Sequence, residues 1–266
     1  MFCFISSVRA PQRSDNWPRV CTLFERMAVS VFNQSNPDFR LIVVCHLPPT
    51  LTRSFDSRLE FISTDMPLPK RTFDSMTGQD KVSKLLIAMK RVRELNASHV
   101  MPVDADDLIS RNIVSHALQY PDADGWFVQR GWRYQYGRLW LEELDDFNNV
   151  CGTCNVLSRR WFAYPGQPEL EKQIDTNLIA DGHGGVVEAF LLRGAKLWPF
   201  PFRAAVYTVL NGENTTKFLR SEGSVVRRGR IRRAASRVKS GIIALMRRRP
   251  CGARIRREFA LETSIP

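Results

Sequence analysis

Three carboxylates lie within four residues of this sequence, at Asp104, Asp106 and Asp107. They follow the mostly apolar run 97–103, which predicts a strand that ends in a turn. Because alternate side chains of a strand point to one side, we expect Asp104 and Asp106 to converge, while Asp107 turns toward the following segment. Converging carboxylates repel each other unless a cation lies between them, and oxygen ligands favour Mg²⁺ or Mn²⁺. The spacing therefore predicts a divalent-metal site and an enzyme.

An Asp-rich turn also has a purely structural interpretation. Asp107 could cap a helix that begins near Leu108, since aspartate is a common N-cap residue. The tetrapeptide alone does not decide between a cap and a metal site. The surrounding elements favour the metal site.

Those elements alternate between strand and helix patterns. The run 39–45 is rich in β-branched residues and predicts a buried parallel strand. Helical spacing predicts a helix over 20–32, with Asp15 or Asn16 as its cap and Pro18 in the first turn. The order is an α/β order, which places ligands at the carboxyl ends of the strands. The other predicted elements are strands at 2–8, 59–62 and 97–103 and a helix at 81–95.

Five stretches carry a resemblance to a known family: 30–35, 38–44, 80–84, 103–107 and 193–197. In these stretches the chain resembles the GT-A glycosyltransferases, particularly the bacterial family 2 type, over roughly residues 1–215. The strongest element is the DxD pattern at Asp104 and Asp106. The resemblance implies a Rossmann-like three-layer α/β/α sandwich with a mostly parallel sheet. It also implies Mn²⁺- or Mg²⁺-dependent sugar transfer, with inversion, from a nucleotide-sugar to a glycan or lipid-linked acceptor; a UDP-sugar is the favoured donor.

The resemblance assigns roles residue by residue. It makes Asp106 the principal metal ligand and places Asp104 on the metal or the ribose. Arg9 and Asp65 match positions that line the nucleotide pocket, and Lys84 resembles the basic residue near the diphosphate. A cation at this point would stabilise the leaving nucleoside diphosphate without any proton transfer.

The catalytic base is where the sequence departs from the family. Family 2 enzymes place an ED pair about a dozen residues before the RG of a helix end, but here Asp181-Gly182-His183-Gly184 stands there. His183 has three interpretations: general base, additional metal ligand, or ordinary loop histidine. The resemblance favours a functional role, with Asp181 as the second candidate base.

Two further groups of residues have alternative interpretations. Cys151 and Cys154 have the spacing of half a zinc site, but the other cysteines form no second pair, so we do not expect structural zinc. The run 150–157 instead predicts a strand on the acceptor side. The aromatic residues after the acidic motif fit either an acceptor surface or one face of a core strand. They are Trp126, Trp132, Tyr134, Tyr136 and Trp140, with Arg130, Arg133 and Arg138 between them.

Charge divides the chain into two predicted parts. Residues from Lys217 onward hold 15 of the 39 basic and 3 of the 27 acidic residues, so this region carries all of the net charge of +12. We therefore predict a catalytic domain over 1–215 and a basic C-terminal tail over 216–266. Helical spacing of Ile231, Ala235, Val238, Ile242 and Leu245 predicts a basic amphipathic helix that suits anionic membrane surfaces. A solvated, partly disordered extension is the alternative.

Two functional classes remain open at this point. The first is the metal-dependent glycosyltransferase, and the second is a noncatalytic α/β protein that binds nucleic acid or anionic surfaces through its arginine-rich tail. Nucleic-acid binding is disfavoured because aromatic residues are scarce in the tail. Six cysteines, several in predicted core strands, suit a reducing cytoplasm. We therefore expect a cytoplasmic protein, peripheral at the inner membrane face.

Overall fold

The structure is a computed structural model of the 266-residue chain, and it describes residues 1–68, 76–179, 184–213 and 246–262. The side chains of residues 76–78 are outside this description. Within the described residues, no helix is long and apolar enough to cross a membrane.

Strands and helices alternate along most of the described chain. The strands are β1 (Phe2–Ser7), β2 (Phe39–Cys45), β3 (Leu59–Ser63), β4 (His99–Pro102), β5 (Leu108–Ile109), β6 (Gly125–Phe127), β7 (Gly131–Gln135), β8 (Trp140–Leu144), β9 (Asn155–Ser158), β10 (Leu197–Pro199), β11 (Ala205–Val209) and β12 (Arg248–Pro250). The helices are α1 (Trp17–Phe32), α2 (Met76–Glu94), α3 (Ile113–Gln119), α4 (Pro168–Ile179), α5 (Val186–Leu191) and α6 (Ala253–Phe259).

A seven-stranded, mostly parallel sheet forms the centre of the fold, in the order β10-β6-β9-β4-β1-β2-β3. Strands β1 to β4 are parallel to one another, as are β6 and β10. Among the described strands of this sheet, only β9 runs antiparallel to its neighbours, β4 and β6. The carboxyl ends of β1, β2, β3 and β4 therefore meet at one edge of the sheet, where α/β proteins bind their ligands.

Helices cover both faces of this sheet. In β1, Phe2 and Phe4 point to one face and join a core cluster that includes Phe24 of α1. Cys3 and Ile5 point to the other face and join a cluster with residues of α2, α4 and α5. This alternation produces the three layers of an α/β/α sandwich, and the predicted fold class is confirmed.

A second sheet of five strands has the order β12-β8-β7-β11-β5. Its outer strand β12 and the following helix α6 come from the region predicted as a tail. Phe259 and Leu261 are buried there against Trp132 and Leu141 of the second sheet. Strand β12 therefore pairs with the second sheet, and Cys251, Phe259 and Leu261 pack into the core of that sheet. The boundary near residue 215 stays a prediction, and the predicted amphipathic helix lies outside the described residues.

The sequence patterns predicted the first half of the fold closely. The predicted strand 39–45 coincides with β2, and the helix predicted over 20–32 ends at Phe32, as α1 does. Asn16 is the N-cap of α1, because its side chain accepts a hydrogen bond of 3.0 Å from the Arg19 amide. Pro18 lies in the first turn, where its missing N–H is not needed.

His99 at the start of β4 is buried among aromatic side chains, and these surroundings disfavour its protonated form. Its ring lies 5.8 Å from the ring of Phe2 and 5.7 Å from that of Trp126. Burial lowers the pKa of His99 to about 4. Because the pKa of His99 is lower in the folded state than in the unfolded state, its neutral form contributes fully to stability above about pH 6.5. This contribution decreases as the pH falls toward 4.

We expect this loss to reach up to about 3 kcal/mol in the free energy of unfolding. Urea unfolding of the wild type and of His99→Phe between pH 7 and pH 4 measures it, since phenylalanine keeps the ring stacking and removes the titration. The His99→Phe curve should be flatter by that amount. Parallel pH curves for the two proteins would contradict the assignment.

Candidate functional site

The acidic motif forms a tight turn that connects the two sheets. The backbone of Val103 extends β4 through a 2.8 Å hydrogen bond to the carbonyl of Ile5. The amide of Asp107 then donates to the carbonyl of Asp104 at 3.1 Å, and the chain enters β5 of the second sheet. The turn therefore lies at the carboxyl edge of the large sheet, as the sequence predicts.

Asp107 is fully buried and holds this turn in place. Its carboxylate accepts hydrogen bonds from the Thr153 hydroxyl at 2.6 Å, the Cys151 thiol at 2.9 Å and the Thr208 amide at 3.0 Å. These partners lie on the loop before β9 and on β11. A strand, not a helix, follows the turn, so the interpretation of Asp107 as a helix cap is wrong.

Asp104 is paired with a lysine from α2. The Lys81 ammonium donates to Oδ1 of Asp104, and the Lys81 side chain remains 42% exposed. Partial enclosure lowers the pKa of Lys81, but the charge of Asp104 and the hydrogen bond raise it more, so Lys81 is charged. A Cβ at Gly152 would lie 3.2 Å from Oδ2 of Asp104 and 3.3 Å from the Lys81 ammonium. The glycine therefore lets the backbone pass close to this ion pair.

Asp106 is half-buried and accepts a 2.6 Å hydrogen bond from the Asn211 amide group. Burial, followed by repulsion from Asp104, raises the pKa of Asp106 to about 6, against the lowering effects of Asn211 and Lys81. The Asp104 carboxylate therefore lies close enough to Asp106 for its charge to act on Asp106. A cation beside Asp106 would relieve this cost of holding a negative charge.

A short segment after β11, Leu210–Glu213, crosses the carboxyl edge of the large sheet; we call it the closing segment. Asn211 contacts Asp106, as described above, and Glu213 contacts the loop after β1. The Glu213 carboxylate accepts hydrogen bonds from the Arg9 guanidinium at 3.0 Å and from the backbone amide of Asn16 at 2.8 Å. The closing segment thus connects the acidic turn to the predicted nucleotide-binding residue Arg9.

The other two predicted nucleotide-site residues, Asp65 and Lys84, are near the carboxyl ends of β3 and β1. Asp65 is exposed, two residues beyond β3. Lys84 is fully buried, and its ammonium donates to the Val8 carbonyl at 2.9 Å and to Asp80 at 2.7 Å. Lys84 therefore joins α2 to the end of β1, whereas Lys81, one turn earlier, contacts Asp104. The roles of Asp65 and Lys84 toward a ligand stay predictions.

The predicted base lies beyond what the structure describes. Asp181 and His183 are outside the described residues, so their roles as base or metal ligand stay predictions. Gly184 is the first described residue after them, and a Cβ there would lie 3.1 Å from Oδ1 of Asn149. Asn149 precedes the Cys151–Thr153 loop that packs on the acidic turn.

The residues of the acidic turn fit a cation that takes few protein ligands. Among residues 1–68, 76–179, 184–213 and 246–262, no group of three or more His, Cys, Asp or Glu side chains could hold a metal ion. A Mg²⁺-like ion, however, takes one or two carboxylates and completes its shell with water and phosphate oxygens. Asp104 and Asp106 are the two carboxylates of the turn available to such an ion, and their role as metal ligands stays a prediction.

The aromatic residues after the acidic motif belong mainly to the core. Trp126, Trp132 and Tyr134 are buried, which supports the interpretation as core strand residues for these three. The Tyr136 ring instead carries two guanidinium groups, from Arg19 at 5.5 Å and Arg26 at 5.0 Å. Tyr136 thus packs between the second sheet and α1.

Several residues of the site were not singled out from the sequence for the positions they take. Lys81 stands three positions before Lys84, the residue predicted to lie near the diphosphate, and belongs to the same helical pattern. The sequence pattern assigned no role to Asn211, Glu213 or Gly152. Their partners are distant along the chain: Asn211 and Asp106 are 105 residues apart. Polar residues in a turn directly after a strand were the available signal for Asn211 and Glu213.

Comparison with known proteins adds three distant structural likenesses. No protein-family model matches the sequence, and no curated protein sequence matches it. Two crystal structures of S. aureus TarS, one of residues 1–349, are similar over 78% of this chain, with 10% and 11% identity and TM-scores of 0.41 and 0.42. This chain spans 60% and 36% of those two chains.

The third likeness is to a protein from Desulfovibrio desulfuricans G20 described as a candidate nucleotide-diphospho-sugar transferase. It covers 91% of this chain and 96% of the other chain, with 10% identity and a TM-score of 0.40. Likenesses at this level assign no activity to the present chain.

Proposed function

We propose that this protein is a glycosyltransferase that transfers a sugar from a nucleotide-sugar donor. The observation that carries the proposal is the position and charge of the Asp104–Asp107 turn. The turn follows β4 at the carboxyl edge of a Rossmann-like sheet, where Asp106 has a pKa of about 6 beside Asp104. A carboxylate for which charge is unfavourable, at the ligand-binding edge of this fold, favours a cation site.

In this proposal Asp106, with Asp104 next to it, holds a Mn²⁺ or Mg²⁺ ion. The bound ion would supply charge stabilisation to the departing diphosphate. Lys81, anchored by Asp104, contributes a second positive charge at the same place. Arg9 and Asp65 line the nucleotide side, and the Glu213 carboxylate fixes the direction of the Arg9 guanidinium.

The acceptor and the base are further parts of the proposal. His183, or Asp181 in its place, accepts the proton of the attacking hydroxyl, and His183 is also a candidate additional metal ligand. Transfer to a glycan or lipid-linked acceptor with inversion, from a UDP-sugar, follows from the resemblance to family 2 alone. A cytoplasmic location is supported by the six cysteines, which are all free and buried.

A ligand panel tests the proposed function. Thermal shift is measured with UDP, GDP, CDP, ADP and dTDP and with UDP-sugars, each with Mn²⁺, with Mg²⁺ and with chelator. We expect at least one diphosphate to raise the melting temperature only when a divalent cation is present. Absence of any cation-dependent shift across the panel would contradict the proposal. Strongly salt-dependent RNA binding without a nucleotide effect would favour the noncatalytic alternative.

Lys81 provides a separate test of how the site handles charge. We expect Lys81→Met to weaken binding of the responsive diphosphate about tenfold, because the variant loses one charge-assisted contact to phosphate. Lys81→Arg should retain most of the affinity. Calorimetric titration measures both, with Lys90→Met as the control on the exposed side of α2. Equal affinities of Lys81→Met and the wild type would exclude Lys81 from the phosphate site.

A further inference from the structure

Two arginines of α1 face the same tyrosine ring beside the second sheet. The guanidinium groups of Arg19 and Arg26 lie 5.5 Å and 5.0 Å from the centre of the Tyr136 ring. Arg26 also lies 5.6 Å from the centre of the Tyr134 ring. We call Arg19 and Arg26 the guanidinium pair. They are about two helical turns apart and project from one side of α1, so two positive charges meet at one aromatic surface.

Carboxylates of the described chain do not neutralise this pair. Within the described residues, neither arginine of the guanidinium pair forms an ion pair. The Glu213 carboxylate pairs with Arg9 at 3.0 Å, and the carboxylate of Glu25 accepts a 2.6 Å hydrogen bond from the Arg53 amide. Nη2 of Arg26 is enclosed and has no hydrogen-bond partner among these residues. The charge of the pair is therefore held without a counter-charge.

Another arginine that stacks on aromatic rings in this protein does have a carboxylate partner. The Arg58 guanidinium lies 4.9 Å from the centre of the Phe32 ring and 4.6 Å from that of the Phe39 ring. It also pairs with the Asp56 carboxylate at 2.7 Å, which balances its charge. The guanidinium pair has the aromatic surface without the carboxylate. An anion from solution would supply the component that is missing.

The guanidinium pair is open to solvent at one end and enclosed at the other. Arg19 is exposed, whereas Arg26 and Tyr136 are half-buried. Tyr134, beside Arg26, is buried. Partial enclosure strengthens the attraction between a guanidinium and an anion, because the local dielectric constant is lower than that of water. A ligand can therefore enter at Arg19 and interact more strongly near Arg26.

We propose that the guanidinium pair and the Tyr136 ring bind an oxoanion, which is a phosphate or carboxylate group of a ligand. A planar guanidinium can donate two parallel hydrogen bonds to such a group, and this geometry makes arginine the preferred side chain for both kinds of anion. The Tyr136 ring holds the guanidinium groups in place through cation–π contacts. The bound anion neutralises two charges that otherwise repel each other.

This oxoanion site is separate from the acidic turn, and the closing segment contacts both. The Arg19 guanidinium donates to the backbone carbonyl of Asn211 at 3.2 Å, whereas the side chain of Asn211 donates to Asp106. A Cβ at Gly212 would lie 3.4 Å from Cδ of Arg19, so the segment passes close to this arginine. An effect of the oxoanion on diphosphate binding rests on the proposed function, whereas oxoanion binding itself does not.

Calorimetric titration of the full chain, with chelator present, tests oxoanion binding. The probes are inorganic phosphate, methyl phosphate and glucuronate at constant ionic strength, with chloride as the reference anion. We expect at least one probe to bind where chloride does not, and a preference for the phosphates or for glucuronate identifies the group. Arg19→Gln and Arg26→Gln should each weaken binding of that probe about tenfold, since each removes a charge-assisted contact.

The matched control is Arg58→Gln, which removes a ring-stacked arginine that already has a carboxylate partner. It should bind the probe like the wild type, and so should Lys81→Met, whose change lies at the acidic turn. Absence of binding by every probe, or equal affinities of the wild type, Arg19→Gln and Arg26→Gln, would overturn the proposal. Loss of binding in Lys81→Met alone would also overturn it, because the anion would then lie at the acidic turn. The cation-dependent diphosphate shift, measured on the same proteins, reports separately on the proposed function.

Discussion

Asp106→Asn is expected to abolish cation-dependent diphosphate binding and, without ligand, to stabilise the protein above pH 6. The raised pKa means that the folded state resists ionisation of Asp106. The free energy of unfolding therefore falls as the pH rises from about 4 to about 6, and the full loss is present above about pH 6. We expect a gain of about 1–2 kcal/mol, below the roughly 3 kcal/mol of the full pKa displacement, since Asp106 is only half-buried. Loss of function with gain of stability is typical of a strained binding site.

Two measurements separate these effects. Urea unfolding at pH 5 and pH 8 gives the stability difference, and calorimetric titration with Mn²⁺ and diphosphate gives the affinity, which should fall at least a hundredfold. Asp122→Asn, at an exposed carboxylate before β6, is the matched control and should change neither. An Asp106→Asn protein that binds diphosphate like the wild type would remove the metal-site interpretation.

Asp107→Ala is expected to cause the largest loss of stability of any change in the turn, roughly 3 kcal/mol or more. The fully buried carboxylate accepts three hydrogen bonds from two separate segments, and burial raises its pKa well above the usual range. Removing it leaves the Thr153 hydroxyl and the Thr208 amide without this acceptor. The junction of the two sheets would loosen as a result.

Asp107→Asn distinguishes a packing role from a charge role. Asparagine keeps the shape and one carbonyl oxygen, and the Thr153 hydroxyl can rotate to accept, so the loss should be clearly smaller than for alanine. Urea unfolding measures both variants. If alanine costs less than about 1 kcal/mol, Asp107 does not hold the junction.

The hydrophobic patterns were sufficient to predict the first half of the fold. A central parallel strand is buried on both faces, so its sequence is mostly apolar, and β2 has that form from Phe39 to Cys45 with Arg40 as its one polar residue. The cap at Asn16 follows from local chemistry, since the acceptor and the donated amide are three residues apart. Such signals need no knowledge of the rest of the chain.

The roles of polar residues were harder to predict, because they depend on partners that are distant along the chain. Lys81 and Lys84 share one helix, but the direction in which each points depends on how α2 is rotated against β1. The partners of Asp107 at 151, 153 and 208 come from segments that no local pattern connects to the turn. The acidic motif could be recognised in the sequence, but the different contacts that its three carboxylates make could not be predicted from it.

The many arginines near the C-terminus also made its packing on the second sheet hard to predict. Arginines dominate residues 246–257, so this region was assigned to a tail on composition. Its few apolar side chains nevertheless decide its packing, because Cys251, Phe259 and Leu261 are buried in the second sheet's core. Glu258 adds a 3.0 Å hydrogen bond from Asn112 and fixes α6 against the turn before α3.

The most direct test is an electron paramagnetic resonance titration of Mn²⁺ with the diphosphate found in the panel. The protein should bind Mn²⁺ tightly only when the diphosphate is present, because the ion takes ligands from both. Below about pH 6 the affinity should fall about tenfold per pH unit, as protons compete for Asp106. Mn²⁺ binding that is independent of diphosphate, unchanged at pH 5, and intact in Asp106→Asn would contradict the proposed site.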